Sequence, residues 1–361
     1  MDFLFDIKIS LIYIVGFAIA YFVTMGITPL SKRFAFRIGA VAVPNERSMH
    51  KETMPLAGGT AIVLGFAVTV TLLAPIMKGF EIQNYIGLII GGILITVVGL
   101  LDDVYNLNAR IKLSFQILAA LIVVFSGTTI NIVSWPWAPG GVLQLGAMSK
   151  LITVIWIIGL TNAVNLIDGL DGLATGVSAI ASLCLMFISI LYGEPIVVLL
   201  TATLAGSCMG FLPHNFNPAK IFMGDTGSTF LGFTLAVISI NGLLKTYTAL
   251  TIVIAVVILA LPIFDTAFTI MRRLINRQPV MKADRGHLHH RLVDKGYSHR
   301  RAVLTLYGIS GGFGIAGILF AMNDTKFASS VIVFMGLVWI ADSIISHLRK
   351  KRKENSCDRG N

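Results

Sequence analysis

Apolar stretches long enough to cross a bilayer recur along nearly the whole chain, and they restrict it to helices packed within a membrane. A span needs about 20 apolar residues, and hydrocarbon offers backbone amides no partner but one another. Eleven such segments are read at 10–30, 57–77, 84–101, 113–132, 149–165, 173–192, 196–212, 229–244, 247–271, 302–322 and 327–347. Composition points the same way: the chain is 55% hydrophobic and 13% charged, where soluble domains carry about a quarter charged residues. The expected fold is all-α, a polytopic integral membrane bundle of about 11 helices forming a single domain over 1–361.

The basic residues orient this bundle. Of the 28 Lys and Arg, all but Lys8, Lys78, Lys150, Lys245 and Lys326 fall in every second connection or in the C-terminal tail. Positive charge stays on the cytoplasmic side, so the N-terminus is expected outside and the C-terminus inside. Two basic elements stand out on that side, the large loop 272–301 and the tail 348–361. The net charge of +10 is therefore one-sided. It suits anionic lipid headgroups or a phosphorylated substrate, not nucleic acid. Asp2 and Asp6 precede the first apolar segment and no small-x-small site follows it, so no cleaved signal peptide is expected. Cys184, Cys208 and Cys357 have no spacing that suggests a disulfide, a zinc site or a redox pair.

Against this apolar background, acidic residues cluster at the same ends of the segments. The stretch Asn162 to Gly176 carries Asn162, Asn165 and Asp168 at helical spacing, then Asp171 between glycines. Asp102 and Asp103 end the third segment, with Arg110 and Lys112 just beyond. Two adjacent carboxylates at a membrane edge call for a cation or a raised pKa; the plainer reading is a helix cap, which needs only one of them. Asp225 sits in Gly224-Asp225-Thr226-Gly227-Ser228, a turn that could offer a carboxylate and backbone amides to a metal–phosphate group. Gly58-Gly59 could likewise expose amides to phosphate, or could simply be a packing pair. Asp265 and Asp342 are expected to pair with nearby basic residues, Arg272 and Arg273 for the first, His347 and Arg349 for the second. Trp135 and Trp137 read as interfacial anchors.

Three carboxylate clusters on one face, flanked by basic and histidine-bearing loops, suit a Mg²⁺ ion held by carboxylates together with a diphosphate. Such a site can move a phosphoryl group between a soluble nucleotide and an acceptor dissolved in the bilayer. The competing classes are a transporter for an anionic solute, whose site would lie nearer the bilayer midplane, and a structural scaffold, which would need no such clusters.

Five segments then fall in one order. They are Pro44-Asn45-x-Arg47-x-x-His50, Asp102-Asp103 with Lys112, Asn162-x-x-Asn165-x-x-Asp168-Gly-x-Asp171-Gly, Pro218-Ala219-x-x-Phe222-Met-Gly-Asp225-x-Gly-Ser228, and His287-Leu288-His289-His290. The series, from about residue 29 to 301, resembles the polyprenyl-phosphate N-acetylhexosamine-1-phosphate transferases. Leu288 interrupts the histidines, which favours the branch making undecaprenyl-diphospho-GlcNAc for teichoic acid or O-antigen over the phospho-MurNAc-pentapeptide transferases, the alternative. The resemblance implies that undecaprenyl phosphate attacks a UDP-N-acetylhexosamine at a bacterial plasma membrane, with the active site cytoplasmic, releasing UMP. Asp225 is implied as the ligand of Mg²⁺ or Mn²⁺, and Asp102, beside Asp103, as the residue that deprotonates or orients the lipid phosphate. Asn165, Asp168 and Asp171 are implied to line the nucleotide pocket, Asp168 counting with the catalytic carboxylates, and Phe222 to stack on uracil. His50, Lys112, His287, His289, His290 and Arg291 are implied to bind substrate, mainly its diphosphate or sugar. Ser48, Met49 and the Met54–Ala57 stretch depart from the family, which often has a Lys and an Arg in that loop. The resemblance leaves open direct attack or a phospho-aspartate intermediate, and a monomer or a homodimer.

Overall fold

The computed structural model describes residues 7–44, 52–77, 79–134, 142–243, 251–277 and 286–337. His50, Trp135, Trp137, Asp342, His347 and the basic tail lie outside the described residues, as do 278–285 of the large loop. Every expected apolar segment holds helix. In chain order these are α1 (Ile7–Ile38), α2 (Gly59–Leu73), α3 (Ile86–Tyr105), α4 (Ala109–Phe125), α5 (Ser149–Ile167), α6 (Leu173–Leu191), α7 (Pro195–Asn215) and α8 (Gly224–Leu243). There follow α9 (Thr251–Ile258), α10 (Ala260–Ile275), the short α11 (Leu288–Asp294) and α12 (His299–Ala321), then α13 (Thr325–Leu337). Among the described residues, seven helical stretches are long and apolar enough to cross a membrane, those built on α1, α2, α3, α5, α6, α7 and α12. The other four expected segments hold α4, α8, the α9–α10 pair and α13. Two small antiparallel ladders, β1 (Val41–Ala42) with β2 (Met54–Pro55) and β3 (Ile132–Ser134) with β4 (Val142–Gln144), tie loops at the helix ends.

Helix α7 is the axis of the bundle. Its apolar window is 83% buried, against 28% for α1, so α7 is apolar on all sides because protein surrounds it, whereas α1 faces lipid. It packs against α1, α2 and α6, and α8 packs against α3 and α5. Where α7 meets α1, Gly206 and Gly210 stand one turn apart, and a Cβ on either would strike the Phe17 or Tyr21 carbonyl oxygen. Without a hydrophobic drive between helices in lipid, small residues that admit close backbone approach supply the packing.

The segment read as one span at 247–271 is interrupted at Leu259. Pro262 has no N–H to give the carbonyl one turn back, which breaks the helix there. The continuation, α10, is two-faced. Asp265, Thr266, Thr269 and Arg273 are buried while Phe264, Phe268, Met271 and Ile275 are exposed. This turn of α10 brings the buried Asp265 toward the loop that follows.

Candidate active site

The three acidic clusters meet in one cavity of about 630 Å³. Asp102 and Asp103 reach it from the last turn of α3, Asn165, Asp168 and Asp171 from the α5–α6 turn, and Asn217, Phe222 and Asp225 from the α7–α8 connection. His290 of α11 and His299 of α12 complete the wall.

The two adjacent aspartates have different tasks. Asp103 is buried and accepts the Asp225 amide at 2.7 Å, the Thr226 amide at 3.1 Å and the Thr226 hydroxyl at 2.5 Å. It caps α8, spending both oxygens on the helix N-terminus. The amides that the sequence seemed to offer to a phosphate are therefore occupied, and Asp103 acts on Asp225 by holding its backbone. Asp102 accepts the Leu107 amide at 2.7 Å and the Lys112 ammonium at 2.9 Å. Lys112 Nζ also donates to Asp225 at 2.6 Å, bridging two carboxylates that belong to helices far apart in sequence. The second Asp225 oxygen accepts Asn165 Nδ2 at 3.2 Å, and the same amide nitrogen donates to Ser228 at 2.8 Å. Asn165 thus aims Asp225 as well as lining the cavity.

Asp168 is the exception. It follows the last residue of α5, is half-buried, and among the described residues its carboxyl makes no hydrogen bond or ion pair. Loss of hydration, then the charges of Asp225, Asp103 and Asp171, push it up to about 8. Four carboxylates share this floor with one bridging lysine, so the site is short of positive charge. A divalent cation fits that deficit: Mg²⁺ binds through one or two carboxylates and takes its other ligands from water and phosphate. No three His, Cys, Asp or Glu side chains among the described residues are arranged as a ready-made metal cage.

The other expected residues divide into those at the cavity and those behind it. Phe222 lines the cavity, and its backbone is fixed by the loop before α2: its amide donates to Pro55 O at 2.9 Å and its carbonyl accepts the Gly58 amide at 3.0 Å. The Gly59 amide goes to Met223 O at 2.8 Å. The glycine pair therefore packs against this strand-like segment, and its amides are not free for phosphate. Asp171 accepts Asn217 Nδ2 at 2.9 Å and the Ala219 amide at 3.1 Å, fastening the α5–α6 turn to the α7–α8 loop. His287 and His289 are buried behind His290, stacked at 5.8 Å between ring centroids. His289 presses on Gly169, where a Cβ would strike its ring, and its Nε2 has no partner among the described residues. Burial first, then the neighbouring His290, hold its pKa down to about 3, so it is neutral at physiological pH. Arg291 is not at the acidic cavity. Its guanidinium lies 4.7 Å from the Phe268 ring centre and borders a second, apolar cavity between α10, α12 and α13. On a short helix the residue after His290 points some 100° away, which turns Arg291 outward.

One residue was misassigned by the sequence reading and one escaped it. Asp265, expected to pair with Arg272 and Arg273, instead accepts His287 Nδ1 at 2.9 Å and the Leu288 amide at 2.7 Å. It caps α11 and orients its first histidine, a role visible only once the helix breaks at Leu259. His299 belongs to no motif; its one sequence signal is Ser298 before it, which caps α12 by accepting the Arg301 amide at 3.4 Å.

A carboxylate-rich cavity, with five aspartates in its lining and Lys112 bridging two of them, at one end of a bundle of membrane-length helices, suits chemistry on a phosphorylated substrate at a membrane. The chain belongs to glycosyl transferase family 4, whose pattern matches residues 85–243, the span from the start of α3 to the end of α8 that carries all the clustered aspartates. It is 40% identical over 328 residues to a probable undecaprenyl-phosphate N-acetylglucosaminyl 1-phosphate transferase of Bacillus subtilis, covering 91% of this chain and 90% of that protein. It is 34% identical over 360 residues to a decaprenyl-phosphate N-acetylglucosaminephosphotransferase of Mycolicibacterium smegmatis, covering 92% and 87%. An undecaprenyl-phosphate alpha-N-acetylglucosaminyl 1-phosphate transferase of Thermotoga maritima is 31% identical over 301 residues, covering 83% and 87%.

Proposed function

We propose that this protein transfers N-acetylglucosamine 1-phosphate from UDP-N-acetylglucosamine to undecaprenyl phosphate at the cytoplasmic face of a bacterial plasma membrane, the first step of a cell-envelope polysaccharide. The observation that carries the reading is the convergence of Asp102, Asp168 and Asp225 in one cavity at the helix ends, with Lys112 bridging Asp102 and Asp225. A phosphate oxygen of the lipid attacks the β-phosphorus of the donor. The bond from that phosphorus to the oxygen bridging to the α-phosphorus breaks, and UMP leaves with that oxygen. The sugar stays on the transferred phosphorus throughout.

Most of the catalysis is charge neutralisation and alignment, as in other phosphoryl transfers. Asp225, aimed by Asn165 and seated on the α8 N-terminus by Asp103, with the unpaired Asp168 beside it, would hold Mg²⁺, which when bound neutralises diphosphate charge. Lys112, already placed between Asp102 and Asp225, gives the incoming phosphates a fixed positive charge. Asp102 orients that lysine and the lipid phosphate it meets. Phe222 offers its ring to uracil at the cavity rim. The one-sided basic loops support a cytoplasmic cavity, where nucleotide sugars are found, and suit a face that lies against anionic lipid.

The test is transfer of radiolabel from UDP-N-acetylglucosamine to a lipid-soluble product in nanodiscs with undecaprenyl phosphate and Mg²⁺, with and without EDTA. Label in the lipid phase with stoichiometric UMP, abolished by EDTA, is the expected result. Turnover only with UDP-MurNAc-pentapeptide would keep the chemistry and change the sugar. No turnover with any UDP-sugar, in folded protein, would sink the reading.

A further inference from the structure

The cavity has two unlike halves. Its floor is the acidic group around Lys112; its rim is made of the α5–α6 turn and the α7–α8 loop that carries Phe222. Neither loop is regular structure. The α7–α8 loop is held in part by α7, where the Lys220 amide donates to His214 O at 2.8 Å and Asn215 Nδ2 donates to Ile221 O at 3.1 Å, and in part by the loop before α2. A further brace, reaching both loops, comes from α12. His299 Nε2 accepts the Asp171 amide at 2.8 Å, Arg300 Nε donates to Asn217 O at 2.9 Å, and Tyr307 donates its hydroxyl to Gly172 O at 2.5 Å. Asp171 in turn closes the clamp by accepting Asn217 Nδ2 and the Ala219 amide. An acceptor Nε2 leaves the ring proton of His299 on Nδ1, the neutral tautomer. Of the three α12 residues, only His299 itself lines the cavity.

We propose that His299 is a positioning residue of the donor site: through the Asp171 amide it locks the two rim loops together and so sets the half of the cavity that receives the nucleoside. The proposal rests on the reading of the substrate as a UDP-sugar. It follows that His299 governs donor affinity more than the chemical step, because the atoms that bind cation and diphosphate hang on α3, α4, α5 and α8 and not on α12. A purely scaffolding residue would depress both together.

The experiment uses full-length enzyme in nanodiscs and compares His299→Leu with His299→Gln, whose side-chain oxygen can occupy the Nε2 position and accept the same amide. The KM for UDP-N-acetylglucosamine is expected to rise ~10-fold in the leucine variant, the scale of one hydrogen bond, with kcat little changed. The glutamine variant is expected to recover most of the loss, and UMP affinity by equilibrium dialysis to follow the same order without any turnover. Asn217→Ala, which opens the clamp from its other side, is expected to raise KM likewise, and its combination with His299→Leu to be less than additive. This second variant carries the test if the leucine variant does not fold. A normal KM in His299→Leu, a loss confined to kcat, or full additivity would overturn the assignment while leaving the enzyme reading intact. A wild-type enzyme silent toward every UDP-sugar would overturn both.

Discussion

At the scale of single residues, the cavity is an exercise in matching charge. Asp102 and Asp225 share Lys112, Asp103 is consumed by the α8 amides, and among the described residues Asp168 is left without a donor. Its carboxyl titrates near 8 in the folded protein against about 3.9 in an unfolded chain. With the folded value raised, the folded state holds this proton more tightly, so its stabilising effect is complete below about pH 4 and is lost as pH rises through 8. Metal-free protein should therefore melt lower at pH 8.5 than at pH 6 by this term, and Asp168→Asn should remove it. The asparagine variant is expected to raise the melting temperature at pH 8.5 in EDTA by ~2–4 °C, about 1 kcal/mol, while kcat falls ~10²–10³-fold. Identical melting profiles for the two proteins between pH 6 and 8.5 would refute the account of Asp168. His289 acts in the opposite direction. With a folded pKa near 3, it stabilises least below pH 6.5, where the unfolded imidazole takes up a proton that the native ring refuses.

At the scale of elements, two aspartates that look like chemistry hold helices. Asp103 caps α8 and Asp265 caps α11. Removing a cap costs ~0.5–2 kcal/mol and leaves buried amides unmet. Asp103→Ala is thus expected to lose thermal stability and activity together, whereas Asp225→Ala should lose activity at nearly unchanged stability. Differential scanning fluorimetry beside turnover separates them; a fully stable but inactive Asp103→Ala would return Asp103 to direct chemistry. Asp265→Asn keeps an acceptor for the Leu288 amide but not the charged partner of His287. It is expected to lower kcat ~10–100-fold, as for other carboxylates that orient a functional imidazole, with the α11 fold retained. Wild-type kcat in that variant would show that the orientation of His287 is irrelevant to turnover.

At the scale of the whole molecule, α7 decides where everything else sits. Its glycine face admits α1, and the sheath of α1, α2 and α6 around it leaves α8 to lean on α3 and α5, which brings the acidic ends together. Gly206→Leu should force α1 away from α7, an overpacking cost of ~1–3 kcal/mol or more, and should reduce the yield of folded protein in detergent. Equal yield and melting temperature would mean that this contact yields easily. Metal is expected to act at the same scale: Mg²⁺ should raise the melting temperature through mass action on the folded state, and more so at pH 8.5 than at pH 6, because Asp168 must lose its proton to bind it. Equal Mg²⁺ shifts at both pH values would remove Asp168 from the ion's ligands.

The sequence by itself determined the class of fold, since bilayer-length apolar runs leave the backbone no alternative to helix. It also marked Asp102, Asp168, Asp225 and Lys112, because charge and polar turns are costly beside hydrocarbon and stand out against it, whereas Phe222 was pointed to by the family resemblance alone. It could not divide labour among those residues. Which oxygen of Asp103 meets which amide, that Lys112 bridges α3 and α8, and that Gly58 and Gly59 spend their amides on Phe222 and Met223 are matters of contact between segments far apart in the chain. The same holds for the residues it missed or misplaced. Arg291 turns outward because α11 is a helix, Asp265 turns inward because Pro262 breaks the helix before it, and His299 reaches the cavity because α12 crosses the two rim loops. Hydrophobic length is written locally, residue by residue. The pairing of donors with acceptors is decided only when the helices close on one another.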